Sequence, residues 1–306
     1  MLGIVGESGS GKSVTAMTLL GLTRATNTRF EGEVLYKGRD LLKLSEDELR
    51  PVRGAEISMI FQAPMTSLNP VYKVGSQIVE MIQAHESSVG KSQARRRAVD
   101  LLKQVGIPNP AERVDSYPHE FSGGMRQRAM IAMALACNPD ILVADEPTTA
   151  LDVTIQAQIL ELISRLKDEF DSAVIMITHD LGVVAEIADD IAVMYAARVV
   201  EHGSKRQVFY DPQMPYTWGL LGSIPRLDRP KPKRLHSIDG SPPSLINLPQ
   251  GCKFRPRCPH AFEKCSQQPA LENRVEDPGH LDRCWLSVEE KRSLRERTIA
   301  GETAAA

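Results

Sequence analysis

No uninterrupted apolar run in the 306 residues approaches the roughly 20 needed to span a bilayer, so any membrane attachment is expected to come through a partner. The N-terminus also lacks the charged and apolar regions of a signal peptide, which predicts a cytoplasmic protein whose thiols stay reduced. Neither charge is in excess. With 37 basic against 39 acidic side chains and a formal net charge of -2, no overall field would hold the chain on nucleic acid or an anionic bilayer. No internal repeat is visible. Cysteine is scarce, at five residues, yet four of them, Cys252, Cys258, Cys265 and Cys284, gather near the C-terminus. In a reduced compartment a disulfide framework is not expected, and reactive or metal-ligating thiols are the better reading. What is present in ordinary amounts, 42% hydrophobic and 25% charged residues, predicts a packed globular core.

Along the chain, residues 1–5 read as a short apolar strand and residues 13–22, SVTAMTLLGL, as an apolar helix, with a loop between them. Residues 74–106 read as two polar-faced helices, and PDILVADE as a buried strand entered from Pro139. A helix at about 153–170, the strand AVIMIT, a helix near 181–188 and two strands in IAVMYAARVVEHG follow. Strands alternating with helices predict an α/β fold whose parallel sheet is covered on both faces. Half of the twenty prolines fall between Pro225 and Pro278, and the linker-like RPKPKR and GSPPS place a boundary near 225.

The stretch GESGSGKS, Gly6 to Ser13, fits G-x-x-x-x-G-K-S between a strand and a helix. Gly6, Ser8, Gly9, Ser10 and Gly11 let the backbone curl so that N–H groups and a helix N-terminus face a phosphate chain. Lys12 then reaches the β and γ phosphates and Ser13 holds magnesium. In ILVADEP an apolar strand delivers Asp145 to the magnesium shell and places Glu146 to activate the attacking water. A pair of carboxylates at a strand end also serves as a plain helix cap, and the phosphate loop upstream favours the chemical reading. FSGGMRQR puts Ser122, Gly123 and Gly124 at another helix start, a second anion-binding N-terminus.

Together with Gln62 after ISMIF, ALD at 150–152 and THD at 178–180, these stretches match in order the phosphate loop, glutamine loop, signature motif, acidic strand, aspartate loop and switch histidine of the ATP-binding cassette ATPases. The resemblance implies an ABC ATPase domain over 1–225 with a helical subdomain at 66–138. It also implies two cassettes sandwiching two ATP molecules, so that Ser122, Gly123, Gly124 and Asp152 serve a nucleotide shared with a second ATPase subunit. Gln62 joins Ser13 and Asp145 at magnesium, and His179 contacts the γ-phosphate and the attacking water. A lone histidine is more often an ordinary surface residue, and its place between an apolar strand and DLGVV changes that reading. Soluble cassettes of DNA repair or translation would show tandem cassettes or a long coiled coil, and neither is present.

FQAPMTSLNPVYKVGSQI, SGGMRQR with Met125 where many transport cassettes carry glutamine, PYTWGLLGSIPRL and PPSLINLPQGCKFRPRCP resemble the ATPase subunits of bacterial oligopeptide and dipeptide importers. That resemblance implies a peripheral subunit at the cytoplasmic face of the membrane. Its partners would be two membrane-spanning permease subunits and a second, different ATPase, with an extracytoplasmic peptide-binding protein delivering cargo. Related importers for nickel chelates or other small solutes, and a truncated non-catalytic cassette, are the alternatives. Cassettes of this kind begin with antiparallel strands and an aromatic residue that stacks on adenine, whereas Gly6 lies five residues from Met1. The expectation is a start assigned too far downstream, the alternative being a product that loses stacking worth roughly 1–3 kcal/mol. Ala197 stands at a turn where relatives commonly have glycine.

Residues 226–306 are expected to form the importer extension, with a metal site and a flexible tail. The four cysteines are separated by five, six and eighteen residues, wider than the close pair usual in structural zinc sites, although spacing alone does not exclude zinc. The resemblance to peptide-importer ATPases implies a four-iron, four-sulfur cluster (4Fe-4S) with a structural role. Cys137 is expected to be a buried apolar residue outside that site.

Overall fold

The computed structural model describes residues 1–62, 67–149, 151–224 and 238–300, with side chains to 295. Ala150 of the ALD motif, residue 66 at the start of the expected helical subdomain and the boundary at 225–226 lie outside the described residues. Among the described residues ten strands are formed: β1 (Leu2–Val5), β2 (Leu35–Tyr36), β3 (Arg39–Asp40), β4 (Ile57–Ile60), β5 (Ile141–Asp145), β6 (Ala173–Thr178), β7 (Asp190–Tyr195), β8 (Arg198–Ser204), β9 (Glu272–Asn273) and β10 (Leu281–Asp282). The expected strands and helices are present with ends displaced by a few residues at most, and AVIMIT is β6 residue for residue.

Contacts divide the chain into two units, Met1–Lys12 with Ile177–Ala306, and Ser13–Met176. In the second unit β4 and β5 pair in parallel, with β6 next to β5. All four β4 residues and four of the five in β5 are buried, which is why both read as continuous apolar runs. The predicted pair of helices is Val74–His85 and Lys91–Gln104, separated by a turn that ends at Gly90. Ala94, Ala98, Leu101 and Leu102 form the buried stripe of the second helix, the spacing that a 3.6-residue period brings to one face. Both helices pack on the helix Gly123–Ala134.

In the first unit the strand order is β1-β7-β8-β10-β9. β1 pairs with β7 in parallel and the remaining pairs are antiparallel, so the sheet is mixed where the sequence predicted a parallel one. Val5, Ile191, Val193, Tyr195 and Val200 from its strands share one core with Tyr216 and with Phe254 from the cysteine-rich segment. The segment therefore does not build a core of its own. It adds to the one that β1 and β7 begin.

Residues after Ser287, expected as a flexible tail, instead form the helix Val288–Ala300. Ser287 and Glu290 cap each other's backbone N–H at its start, Lys291 is buried against Asp282 at 2.8 Å, and Arg295 pairs with Asp211. Two of its charged side chains thus serve as anchors.

β7 and β8 are joined by Ala196 and Ala197 alone, with φ of 47° and 59°. A two-residue hairpin loop with both residues left-handed is the turn that favours Asn-Gly, because an L side chain there is crowded. Ala197 keeps the turn by donating its N–H to the Ser10 carbonyl at 2.9 Å. Replacing Ala197 with Gly is expected to stabilise the protein by about 1 kcal/mol, raising the thermal midpoint by about 2 °C. An unchanged or lower midpoint in calorimetry would show that the alanine is not strained.

Candidate active site

Residues 6–13 curl as the motif requires. Gly6 sits so close to β7 that a Cβ would lie 2.1 Å from the Met194 carbonyl oxygen, which excludes any other residue. The Ser10 N–H donates to the Glu7 carbonyl at 3.1 Å, closing the turn. Lys12, 5% exposed, folds its ammonium back into the ring, donating to the carbonyl oxygens of Gly6 at 2.8 Å and Glu7 at 3.1 Å. Ser8 and Gly9 are exposed at the rim. Glu7 itself is held three ways. Its N–H donates to the Tyr216 hydroxyl at 2.9 Å, its carbonyl serves Ser10 and Lys12, and its carboxylate takes both arms of the Arg257 guanidinium at 2.7 and 3.0 Å. Burial raises the pKa of the Tyr216 hydroxyl, keeping it neutral and able to accept. His179, in the same unit, is exposed just after β6. The Asp180 carboxylate caps the following helix through the Gly182 N–H at 2.7 Å, which fixes where the histidine begins.

In the second unit the Ser13 hydroxyl donates to Asp145 Oδ1 at 2.9 Å, so two of the three predicted magnesium ligands meet. Asp145 is 4% exposed at the end of β5. Glu146 follows with φ of 46°, and its Oε2 accepts from Gln62 Nε2 at 3.0 Å and from the Thr149 hydroxyl at 2.8 Å. Gln62, Asp145 and Ser13 could thus supply amide, carboxylate and hydroxyl oxygens, the hard donor set that suits magnesium. Ser122 caps the helix Gly123–Ala134, accepting from the Met125 N–H at 3.3 Å, and Ser122 and Gly123 are exposed. A Cβ on Gly124 would stand 3.0 Å from Ile155 Cγ2, so the glycine is also what lets this helix approach the next one. Asp152, assigned from its motif to a nucleotide, here caps the helix Val153–Glu169 through the Ile155 N–H at 3.0 Å. Thr149, Tyr216, Glu7 and Arg257 were not singled out in the sequence. Tyr216 and Arg257 lie over 200 residues from the loop they serve, and Glu7 occupies a position the motif leaves open.

The four C-terminal cysteines line one apolar cavity in the first unit, together with Phe254 and Trp285. None of the five cysteines is in a disulfide. Burial pushes the Cys258 and Cys284 thiols up to about 12 and raises that of Cys252, while backbone N–H groups of His260, Leu286 and Phe254 oppose the shift at the respective sulfurs. The Cys252 N–H donates to the Cys265 carbonyl at 3.0 Å, and Gly251, at φ of 69°, has no room for a side chain against the backbone of Cys265 and Ser266. Among the described residues no group of three or more histidine, cysteine, aspartate or glutamate side chains is arranged to hold a single metal ion. Cys137 is half-buried in the other unit, its thiol pKa raised by burial, and not fully buried as expected.

A family profile described as ABC transporter matches residues 1–149, and one described as oligopeptide/dipeptide transporter, C-terminal region, matches residues 200–265. The oligopeptide transport ATP-binding protein OppD of Salmonella typhimurium is 55% identical over 94% of this chain and 85% of its own length. The chain belongs to the ABC transporter family. It lies in the branch of oligopeptide and dipeptide transport ATP-binding proteins and is an ABC-type ATPase by membership. The dipeptide transport ATP-binding protein DppD of Bacillus subtilis is 52% identical over 92% of this chain and 84% of its own length. Among solved structures, the ATP-binding cassette MJ0796, a dimer in a post-hydrolysis state bound to ADP and Pi, is 30% identical. It superposes with a TM-score of 0.59 over 67% of this chain and 85% of that one. The two profiles leave the described segment around Cys284 unmatched, so three of the four cysteines fall in the family region and the fourth beyond it. No helix among the described residues is long and apolar enough to cross a membrane.

Glu146→Gln keeps the hydrogen-bonding shape beside Gln62 and Thr149 but removes the carboxylate expected to act as base. Its turnover is expected to fall by about 10²-fold or more with nucleotide affinity nearly intact. Unchanged turnover in a phosphate-release assay would remove Glu146 from this role.

Proposed function

We propose that this chain is the ATP-hydrolysing subunit that energises import of di- and oligopeptides through a membrane permease. The observation that carries the reading is the meeting of Ser13 with Asp145 and of Glu146 with Gln62, in a chain 55% identical to a peptide-transport ATP-binding protein over 94% of its length. Lys12 and the N–H groups of residues 6–13 that are not bonded within the protein would hold the phosphates of ATP. Ser13, Asp145 and Gln62 would hold magnesium, which would supply charge neutralisation at the phosphates. Glu146 takes the proton of the attacking water, and His179 fixes the γ-phosphate side. Lys12→Ala is expected to weaken nucleotide binding itself, and with it peptide-stimulated hydrolysis in vesicles carrying the permease. Wild-type affinity in that variant would overturn the phosphate-loop reading.

The subunit is peripheral at the cytoplasmic face, with residues 66–138 as the helical subdomain near the permease and 226–306 as the extension. It works beside a second, different ATPase, because Ser122, Gly123, Gly124 and Asp152 of one cassette serve the nucleotide held by residues 6–13 of another. Co-purification from the native host is expected to recover two distinct ATPase chains with two permease subunits. Recovery of self-pairs only would refute the heterodimer.

Cys252, Cys258, Cys265 and Cys284 ligate a four-iron, four-sulfur cluster. The residues fit such a group: four thiols share one apolar cavity, and backbone N–H groups point at three of the sulfurs. Bound there, the cluster supplies a covalent staple, so that metal binding contributes folding free energy to a segment with few apolar residues. Anaerobic purification is expected to give about four iron and four sulfide per chain. One zinc without sulfide would sink the cluster.

A further inference from the structure

Arg257 lies between Cys252 and Cys258 in sequence, and yet all of its polar reach is spent away from the cysteines. Its two terminal nitrogens grip the carboxylate of Glu7 at 2.7 and 3.0 Å, and its side chain is only 5% exposed. Its remaining donors are fixed as well, Nε to the Asp239 carbonyl at 2.9 Å and one terminal nitrogen to the Ile238 carbonyl at 3.2 Å. The other terminal nitrogen reaches the Tyr195 hydroxyl at 3.5 Å, and the guanidinium stands 5.8 Å from that ring. A planar, forked cation held at all three nitrogens has one position, and it imposes that position on the carboxylate it binds. Glu7 is the residue whose carbonyl receives Ser10 N–H and the Lys12 ammonium. Tyr195 is the last residue before the hairpin turn whose Ala197 N–H holds the Ser10 carbonyl. The segment 252–258 therefore touches the curl of residues 6–13 from two sides, at Glu7 directly and at Ser10 through the hairpin.

We propose that Arg257 is a positioning residue for nucleotide binding: by clamping Glu7 it sets the curl of residues 6–13, and so ties nucleotide affinity to the order of the four-cysteine lobe. The proposal rests on the reading of residues 6–13 as the phosphate loop, and it does not depend on what the cysteines bind. The linkage is reciprocal. If the ordered lobe favours the nucleotide-ready loop, bound nucleotide must favour the ordered lobe by the same factor.

The test uses the full chain as purified, with a fluorescent ATP analogue and magnesium as the probe. Arg257→Ala and Glu7→Gln are each expected to weaken the analogue by about 10-fold. The double variant should be no weaker than the worse single, since one contact is lost in all three. Arg257→Lys, which keeps the charge and loses the fork, should fall between. In the wild type, bound MgATP should slow amide hydrogen exchange across residues 252–258, and Glu7→Gln should abolish that slowing. A residue that merely supports the fold would lower the thermal midpoint without moving this linkage. Wild-type affinity in Glu7→Gln, or losses that multiply in the double variant, would overturn the proposal. Should Arg257→Ala not fold, the nearly isosteric Glu7→Gln decides alone. Lys12→Ala in parallel separates the two readings: its expected loss of affinity alongside an unaffected Glu7→Gln overturns the coupling only, whereas unchanged affinity in Lys12→Ala overturns the phosphate loop and the coupling with it.

Discussion

The ammonium of Lys12 is a buried charge with carbonyl oxygens around it, and the shape of residues 6–13 follows from that need. Removing an ammonium from water costs several kcal/mol unless oxygens replace the lost hydration. The carbonyls of Gly6 and Glu7 do so only because the backbone curls at Gly6, where the Met194 carbonyl leaves no space for a side chain. The N–H groups of Glu7 and Ser10 are engaged by Tyr216 and by the Glu7 carbonyl, which leaves the other N–H groups of the curl as the ones that could face an anion. The cradle and the lysine are two results of one constraint. The neighbours then hold the curl in place: Tyr216 at the Glu7 N–H, Arg257 at its carboxylate, and Ala197 at the Ser10 carbonyl.

The same unit shows how a polar, proline-rich segment becomes ordered. Residues 238–287 carry little regular structure beyond two short helical turns and two strands of two residues each. Their order comes from joining a core that already exists, through Phe254 packed on Tyr195 and Tyr216 with ring centroids 5.3 and 5.4 Å apart, and through the four thiols around one cavity. Sulfur behaves there as an apolar atom when protonated and as a ligand when not, and burial favours the protonated form of Cys252, Cys258 and Cys284 until something replaces the proton. A metal cluster would be that replacement, and the N–H groups aimed at the sulfurs would then stabilise charge that the bare thiols do not carry.

What the sequence made legible was local. The glycines and lysine of residues 6–13, the apolar strand before Asp145 and the alternation after it each lie within one short window, where period and turn chemistry act directly. Ala197 was marked only as standing where relatives commonly have glycine, and the two-residue loop between its strands gives it the left-handed φ of 59°. Contacts between distant residues left no trace of that kind. Arg257 meets Glu7 across 250 positions, and neither residue type is unusual where it stands. The helix after Ser287 was not read from the sequence, and it is held by contacts with residues outside it, Lys291 on Asp282 and Arg295 on Asp211. Asp152 is a mixed case. Its motif suggested a nucleotide contact, and the structure shows the capping duty that an aspartate before a helix performs whatever else it does.

Asp145 and Glu146 show how one strand end yields two carboxylates of different character. In an extended strand successive side chains point to opposite faces, so a straight continuation would send the second carboxylate away from the first. The chain does not continue straight. Glu146 takes φ of 46°, a conformation that costs a non-glycine residue about 1 kcal/mol or more, and four buried residues of β5 together with Gln62 and Thr149 hold it there. The turn leaves Asp145 buried against the Ser13 hydroxyl, suited to a fixed cation, and brings Glu146 to a half-exposed position beside Gln62 and Thr149. A ligand must stay ionised and still, whereas a base must accept a proton and release it, and adjacent residues can do both only if the backbone gives them different surroundings. The strained residue is thus the point at which the strand stops serving the core and begins serving the chemistry.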